Sequence, residues 1–356
     1  MDRRTFLLHT GRWLGLAALA GVAPFIPGCG DEASTTSSTA GAPASAGATI
    51  APATAATTAP STAGSSWSSS TTPGAAGGAG PDATGPETAG PDLAVIKGDS
   101  VDKNVRAALA LLGGMERFVA RGATVVVKPN VLTGRPPEYA TTTSPELMKA
   151  VIAMCWEAGA KEVVVCDNPT SDDRSSFKVS GLAEAVSAAD GRLVYLSNRD
   201  YQDYDIPQGR LLTKWPFASR ALEADVLIDL ALPKQHYVAG ATMTMKNLMG
   251  VMGGSRGEIH VDFDQKIVDV NTLVKPTLSI LDGYRVLFRN GPTGGSLDDV
   301  RLDKTLVAGA NPVCVDAWGT QFFGLKPADL PWLVEANARG MGEIDPSRLH
   351  VATGTA

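Results

Sequence analysis

Short β-branched runs alternate with longer helical stretches through residues 91–356, and this alternation constrains the fold more than any other feature. The clearest runs are ATVVVK at 123–128, EVVVC at 162–166 and DVLIDL at 225–230. Runs of this kind, apolar on both faces, are typical of strands buried in a parallel sheet. Helical stretches of ten or more residues separate them. The sequence therefore predicts an α/β fold with βαβ units and a mainly parallel sheet.

The remaining elements are predicted from the same patterns. Ser144 and Pro145 form a helix start, an N-cap followed by proline at the first helical position, and Gly159 ends that helix. Strands are predicted at 93–97, 123–128, 162–166, 192–196, 225–230, 278–281 and 305–308, and helices at 101–112, 144–158, 181–189, 242–251, 263–274, 311–323 and 327–339.

Residues 1–29 have the pattern of an export signal. Arg3 and Arg4 precede a mild apolar run, 13–26, which is shorter than the roughly 20 residues needed to span a bilayer. The arginine pair followed by Thr-Phe-Leu resembles the twin-arginine consensus, whose export machinery carries folded proteins. Ile-Pro-Gly-Cys, ending at Cys29, resembles a lipobox. We therefore expect twin-arginine export and a lipid anchor on Cys29 at the outer face of a membrane, with soluble release as the alternative.

Residues 30–90 are composed almost entirely of Ala, Ser, Thr, Gly and Pro. Such a segment has too little apolar surface to offset the entropy lost on ordering, so the sequence predicts a disordered tether. The folded domain is then predicted to span 91–356.

Charge and cysteine content exclude two classes of partner. The chain has a net charge of −6 and no Lys/Arg run, so nothing indicates binding to nucleic acid. After Cys29, only Cys155, Cys166 and Cys314 remain, without a Cys-x-x-Cys pair. An ordinary cysteine-ligated iron–sulfur cluster is therefore not expected, and no other cofactor is assigned. The thiols are predicted to be buried and free, with a disulfide as the alternative.

Polar side chains follow several predicted strands, at the sheet edge where α/β proteins bind ligands. Lys128 and Asn130 end one strand and Asp282 ends another. Threonines 141–143 lead into the helix that begins after Ser144, and a helix N-terminus with hydroxyls and a lysine suits an anion. The alternatives are a solvated lysine, threonines that only cap the helix, and a turn formed by Asp282.

A second group comprises Lys246, Asn247, His236 and His260. Lys246 and Asn247 lie in a predicted Met-rich helix, where burial would lower the pKa of the lysine and let it act as a base or bind an anion. Histidine suits proton transfer or metal binding. The alternatives are a lysine that extends to solvent and two hydrogen-bonded structural histidines.

A succession of short sequence blocks runs through nearly the whole folded region. The blocks are, in order, VVVKPN, TTTSPEL, VVVCDNP, LPKQH, TMTMKNLMG, ILDGY with NGP, and NPVCVDAWG. This succession resembles the family catalogued as domain of unknown function 362. The family's positions correspond here to Lys128, Pro129 and Asn130, Lys234 to His236, Lys246 and Asn247 with Gly250, His260 and Asp316. The resemblance supports an α/β domain and these candidate residues without supplying a reaction. Many relatives carry ferredoxin-like cysteine clusters, which this chain lacks.

Three functions are compatible with this pattern. In the first, an extracytoplasmic enzyme holds a small anionic substrate with Lys128 and Lys246 and uses His236 and His260 for proton transfer or metal binding. In the second, the protein binds a solute or cofactor in the same pocket without turnover. In the third, it is a structural or assembly factor. A shared cavity would favour the first two, and scattered positions of these residues would favour the third.

Overall fold

A computed structural model describes residues 90–356 of the chain. The predicted signal, the lipidation of Cys29 and all but the last residue of the predicted tether lie outside the described residues. The described part forms one compact unit.

A twisted sheet runs through the middle of this unit. The strands of the described residues are β1 (Leu93–Lys97), β2 (Thr124–Pro129), β3 (Glu162–Val165), β4 (Arg192–Leu193), β5 (Tyr201–Asp205), β6 (Lys214–Ala218), β7 (Val226–Ala231), β8 (Lys234–His236), β9 (Gly240–Thr242), β10 (Leu278–Leu287), β11 (Val300–Gly309) and β12 (Val351–Thr355). Eight strands of the main sheet are ordered β12-β1-β11-β10-β7-β2-β3-β4. All neighbouring pairs in this order are parallel except the two that β11 makes, with β1 and with β10. The α/β fold with a mainly parallel sheet is thus confirmed.

Helices cover both faces of the sheet. They are α1 (Val101–Leu111), α2 (Pro145–Glu157), α3 (Asp173–Val179), α4 (Leu182–Ala188), α5 (Ser219–Leu222), α6 (Thr244–Asn247), α7 (Phe263–Leu273), α8 (Pro312–Gly319) and α9 (Pro331–Ala338). Alternate residues of each strand enter opposite cores: Val125 and Val127 pack with α1, α2 and α4, whereas Val126 packs with α6 to α9. This two-sided burial explains the continuous apolar runs in the sequence.

Several elements differ from the sequence prediction. The strand predicted at 278–281 continues to Leu287, because β11 runs antiparallel beside it and supplies ladder partners beyond the end of β7. The helix predicted at 242–251 is only α6, followed by a 3-10 turn at Leu248–Val251. The small hairpin of β5 and β6, for which no strands were predicted, forms a separate two-stranded sheet.

Cys155, Cys166 and Cys314 are buried and unpaired, as the sequence predicts. Burial raises the pKa of the thiols of Cys155 and Cys166 to about 12, so both stay protonated at neutral pH. A membrane-spanning helix would need a long apolar stretch, and none of the helices within residues 90–356 has one.

Candidate functional site

A cavity of about 340 Å³ opens at the carboxyl edge of β2, β3 and β7. This volume is at the small end of the roughly 300–1,000 Å³ typical of ligand pockets. The side chains that line it include Lys128, Asn130, Asp167, Lys234, His236, Lys246, Asn247, Arg256 and His260.

A buried ion pair forms one wall of the cavity. Lys128 Nζ lies 2.8 Å from Asp167 Oδ1, and both side chains are almost fully buried. The other carboxylate oxygen of Asp167 accepts the Val131 backbone N–H at 2.6 Å, and Lys128 also donates to the Pro129 carbonyl at 2.5 Å. The charge of Lys128 is therefore already compensated inside the protein.

Asn247 connects this ion pair to a second buried acid. Its Oδ1 accepts from Lys128 Nζ at 3.1 Å and from Asn130 Nδ2 at 2.8 Å. Its Nδ2 donates to Asp229 Oδ1 at 2.7 Å. Burial raises the pKa of Asp229 well above its ordinary value, and the charge of Lys128 acts in the opposite direction.

Asn130 carries the same polar chain to a second lysine. Its Oδ1 accepts from Lys234 Nζ at 2.7 Å, and the Thr141 carbonyl accepts from the same nitrogen at 2.9 Å. The amide orientations of Asn130 and Asn247 are thereby fixed, because each carbonyl oxygen faces a cation. Burial is the main cause that lowers the pKa of Lys234 to about 7.

Lys246 also lies in the cavity, and no carboxylate of residues 90–356 forms an ion pair with it. Its Nζ is 3.3 Å from His260 Nε2, 3.5 Å from Met249 Sδ and 5.3 Å from the centre of the Phe263 ring. Burial, and after it the charge of Arg256, lowers the pKa of Lys246 to about 7. Lysine, unlike arginine, loses its proton readily in such surroundings.

The cavity thus has more positive than negative groups. Arg256 makes a single hydrogen bond, at 3.3 Å to the Met249 carbonyl, and burial lowers its pKa. Among the ion pairs of residues 90–356, none includes Lys234, Lys246 or Arg256. Asp167 is the acid that lines the cavity, and it is paired with Lys128. Buried cations without partners are costly, and a bound anion would offset that cost.

Backbone contacts assign a different tautomer to each histidine. His236 Nδ1 accepts the N–H groups of Val238 and Ala239 at 3.1 and 3.2 Å, so its proton is on Nε2. His260 Nδ1 lies 3.1 Å from the Gly257 carbonyl, which only accepts, so Nδ1 carries the proton and Nε2 has a free lone pair. The two rings stack with centres 5.4 Å apart. Burial lowers the pKa of both, which keeps them neutral at pH 7.

Six of the seven residues predicted to act on a ligand line this one cavity, and Asp282 does not. Its Oδ2 accepts from Ser144 Oγ at 2.8 Å, and its Oδ1 accepts the Tyr284 N–H at 3.1 Å. Asp282 is therefore a buried partner of the α2 cap, within a strand rather than at its end. We do not retain it as a ligand-binding residue.

Two other candidates suggested by the sequence also have structural contacts. Threonines 141–143 lie outside the cavity lining, and Thr143 Oγ1 donates to the Leu230 carbonyl while it accepts the Asn130 N–H. The anion cradle expected from these threonines is therefore not formed. Asp316 accepts from the N–H groups of Thr244 and Met245 at 2.7 and 2.8 Å, so it caps the N-terminus of α6.

Lys234, Asp167 and Arg256 also line the cavity, although no role at a ligand was predicted for them. Lys234 belongs to the same short block as His236, and Asp167 lies two residues after β3, so the sequence indicated that both lie at this edge of the sheet. Arg256, in a glycine-rich loop, had no distinguishing signal. For a metal, residues 90–356 contain no cluster of three or more His, Cys, Asp or Glu side chains in a suitable arrangement.

Comparison with known proteins identifies a family to which the residues of this cavity belong. Residues 125–321 match the family described as Domain of unknown function (DUF362). The chain is 32% identical over 252 residues to a thylakoid-associated protein of Synechocystis sp., which covers 67% of this chain and 74% of that relative.

Two solved structures are also similar, each over about half of its own length. One is the lactate racemase apoprotein from Thermoanaerobacterium thermosaccharolyticum, with 11% identity, coverage of 52% of this chain and 49% of that chain, and a TM-score of 0.34. The other is a structural-genomics protein from Thermotoga maritima, with 12% identity, coverage of 51% and 50%, and a TM-score of 0.29. The family match spans all the cavity residues named above, and the chain therefore belongs to the family described as Domain of unknown function (DUF362).

Proposed function

We propose that the cavity binds a small oxyanion, a carboxylate or a phosphate, and that the protein is an enzyme that acts on it. The observation that carries this proposal is the group formed by two buried lysines, Lys234 and Lys246, and the half-buried Arg256, none of which forms an ion pair with a carboxylate in the part of the chain that the structure describes. Proteins tolerate the free energy cost of burying unpaired cations at functional sites, where a bound ligand offsets it.

The histidines support an enzyme rather than a binding protein. His236 presents an N–H donor and His260 presents a lone pair, and both line the cavity that holds the cations. A neutral donor and a neutral acceptor side by side suit proton transfer to and from a bound ligand. Because backbone groups fix both tautomers, the two roles do not interchange.

Thermal unfolding of the full chain tests anion binding. At pH 7 and fixed ionic strength, sodium oxalate or sodium phosphate should raise the Tm of the wild type more than sodium chloride does. A ligand at about 100 times its Kd stabilises a fold by about 2.7 kcal/mol. Lys246→Met should lose most of this increment and should melt at a higher temperature than the wild type without the anion, because a buried unpaired charge is removed.

Lys149→Met is the matched control, since Lys149 is exposed on α2. Oxyanions also stabilise proteins by exclusion from their surface, so the difference between variants carries the result. The proposal would be contradicted if the wild type, Lys246→Met and Lys149→Met all showed the same increment in Tm with oxalate and with phosphate. It would also be contradicted if neither anion raised the Tm of the wild type more than chloride does.

We also propose that residues 1–29 direct twin-arginine export and that Cys29 anchors the protein to the outer face of a membrane. The arginine pair, the short apolar run and the lipobox-like end support this proposal, and the Synechocystis relative is named for its association with thylakoids. Replacing Arg3 and Arg4 together with lysine should leave the precursor in the cytoplasm. Cys29→Ser should release the exported protein into the soluble fraction. Unchanged fractionation of either variant would contradict the corresponding step.

A further inference from the structure

We propose that Lys246 is a nucleophile that forms an imine with the carbonyl carbon of a small oxo acid held in the cavity. This inference rests on the proposed function, because the acid group of the ligand is held by the cations of the cavity. It goes further by naming the reacting residue, the bond that forms and the class of substrate.

The contacts of the three cavity lysines distinguish Lys246 from the other two. Lys128 is held by the carboxylate of Asp167. Lys234 donates to two oxygens, from Asn130 and Thr141, which favour its protonated form. Lys246 has no oxygen acceptor among the hydrogen bonds of residues 90–356, and its polar neighbours are a histidine nitrogen and a thioether sulfur. Of the three cavity lysines, Lys246 therefore has the fewest contacts that stabilise its protonated form.

The surroundings also leave Lys246 reactive at neutral pH. With a pKa of about 7, about half of its amine is neutral at pH 7. An ordinary lysine, with a pKa near 10.4, is neutral in roughly one molecule in a thousand or fewer. Desolvation next to another cation is a known way to activate an amine toward carbonyl groups.

His260 is placed to move the protons of the reaction. The lone pair of the neutral Lys246 amine attacks the carbonyl carbon, and a carbon–nitrogen bond forms. His260 Nε2, 3.3 Å from the amine, accepts a proton from the nitrogen and returns it to the former carbonyl oxygen. The carbon–oxygen bond then breaks, both amine protons leave with that oxygen as water, and a carbon–nitrogen double bond remains. No oxidant or reductant is needed.

The same geometry indicates the ligand class. Arg256 and Lys234 suit the carboxylate of a ligand whose carbonyl lies next to Lys246, and a volume of about 340 Å³ accommodates a small oxo acid. Small 2-oxo acids combine these two groups on adjacent carbons. We therefore choose glyoxylate and pyruvate as probes.

Reductive trapping tests this inference. The full chain is incubated at pH 7 with glyoxylate or pyruvate and sodium cyanoborohydride, and the adduct is mapped by peptide mass spectrometry. We expect one adduct per chain, on Lys246, formed at least about tenfold faster than on exposed lysines because of its larger neutral fraction. Lys246→Met should lose it, Lys149→Met should keep it, and His260→Asn should slow its formation.

The outcomes separate the two proposals. Oxalate stabilisation without an adduct on Lys246 would overturn the imine and leave anion binding in place. Adducts spread over exposed lysines, or an adduct rate unaffected by Lys246→Met, would overturn it as well. An adduct on Lys234 instead of Lys246 would assign the nucleophile to Lys234 and overturn the inference for Lys246. Loss of both oxalate stabilisation and the adduct would overturn both proposals.

Discussion

Asp167→Ala is expected to destabilise the fold by roughly 3–5 kcal/mol, the usual cost of leaving one partner of a buried ion pair alone. Lys128 is fully buried, and the substitution removes the carboxylate that faces its Nζ at 2.8 Å. It also leaves the Val131 backbone N–H without its acceptor. Because Lys128 further contacts Asn247, oxalate binding should weaken as well. Chemical denaturation measures the first effect.

Two controls make this expectation specific. Glu157→Ala removes an exposed partner of Arg106 and should cost less than about 1 kcal/mol. The double variant Lys128→Met, Asp167→Leu removes both buried charges and should recover much of the loss. A loss below about 1 kcal/mol for Asp167→Ala would show that the ion pair does not support the wall of the cavity.

Gly250→Ala is expected to damage the same ion pair by steric means. A Cβ atom at this position would lie 2.5 Å from Lys128 Nζ and closer still to Asp167 Oδ1. The polar atoms are buried and hydrogen-bonded, so they cannot move aside without breaking contacts. We expect a loss of at least about 2 kcal/mol in the free energy of unfolding, together with weaker oxalate binding.

Gly257→Ala is the matched control. Gly257 lies in the glycine-rich loop that follows, and a Cβ there would meet nothing within 4 Å. Its stability should change by less than about 0.5 kcal/mol. Equal effects of the two substitutions would mean that loop flexibility, rather than the close approach of Gly250 to the ion pair, explains the glycine.

The sheet and much of the cavity could be predicted from one sequence pattern, in which an apolar run is followed by polar residues. A strand such as β2 is buried on both faces, so its apolar run is continuous, and the first polar residue after it falls at the sheet edge. Lys128, Asn130 and His236 were found by this rule. Asp282 fails it because β10 continues along β11, so that a polar residue within the strand resembled a strand end.

Other features depend on contacts that a sequence does not contain. Among residues 90–356, neither Lys246 nor Arg256 has a carboxylate within ion-pair distance, and Asp167 acts on Arg256 only at longer range. Only the packing of several elements reveals this arrangement. The tautomers of His236 and His260 depend on backbone groups within three residues of each ring, in turns that the sequence did not resolve.

Calorimetric titration of the full chain with oxalate tests the central claim, that partly deprotonated buried lysines bind an anion, most directly. The anion raises the pKa values of Lys234 and Lys246 from about 7, so at pH 7.5 binding must take up protons. Titrations in two buffers of different ionisation enthalpy measure that uptake. A lysine with a pKa of about 7 is roughly three-quarters deprotonated at pH 7.5, so we predict up to about 1.5 protons per oxalate for the wild type and about half of that for Lys246→Met. Binding without proton uptake, or an uptake that Lys246→Met leaves unchanged, would contradict the claim.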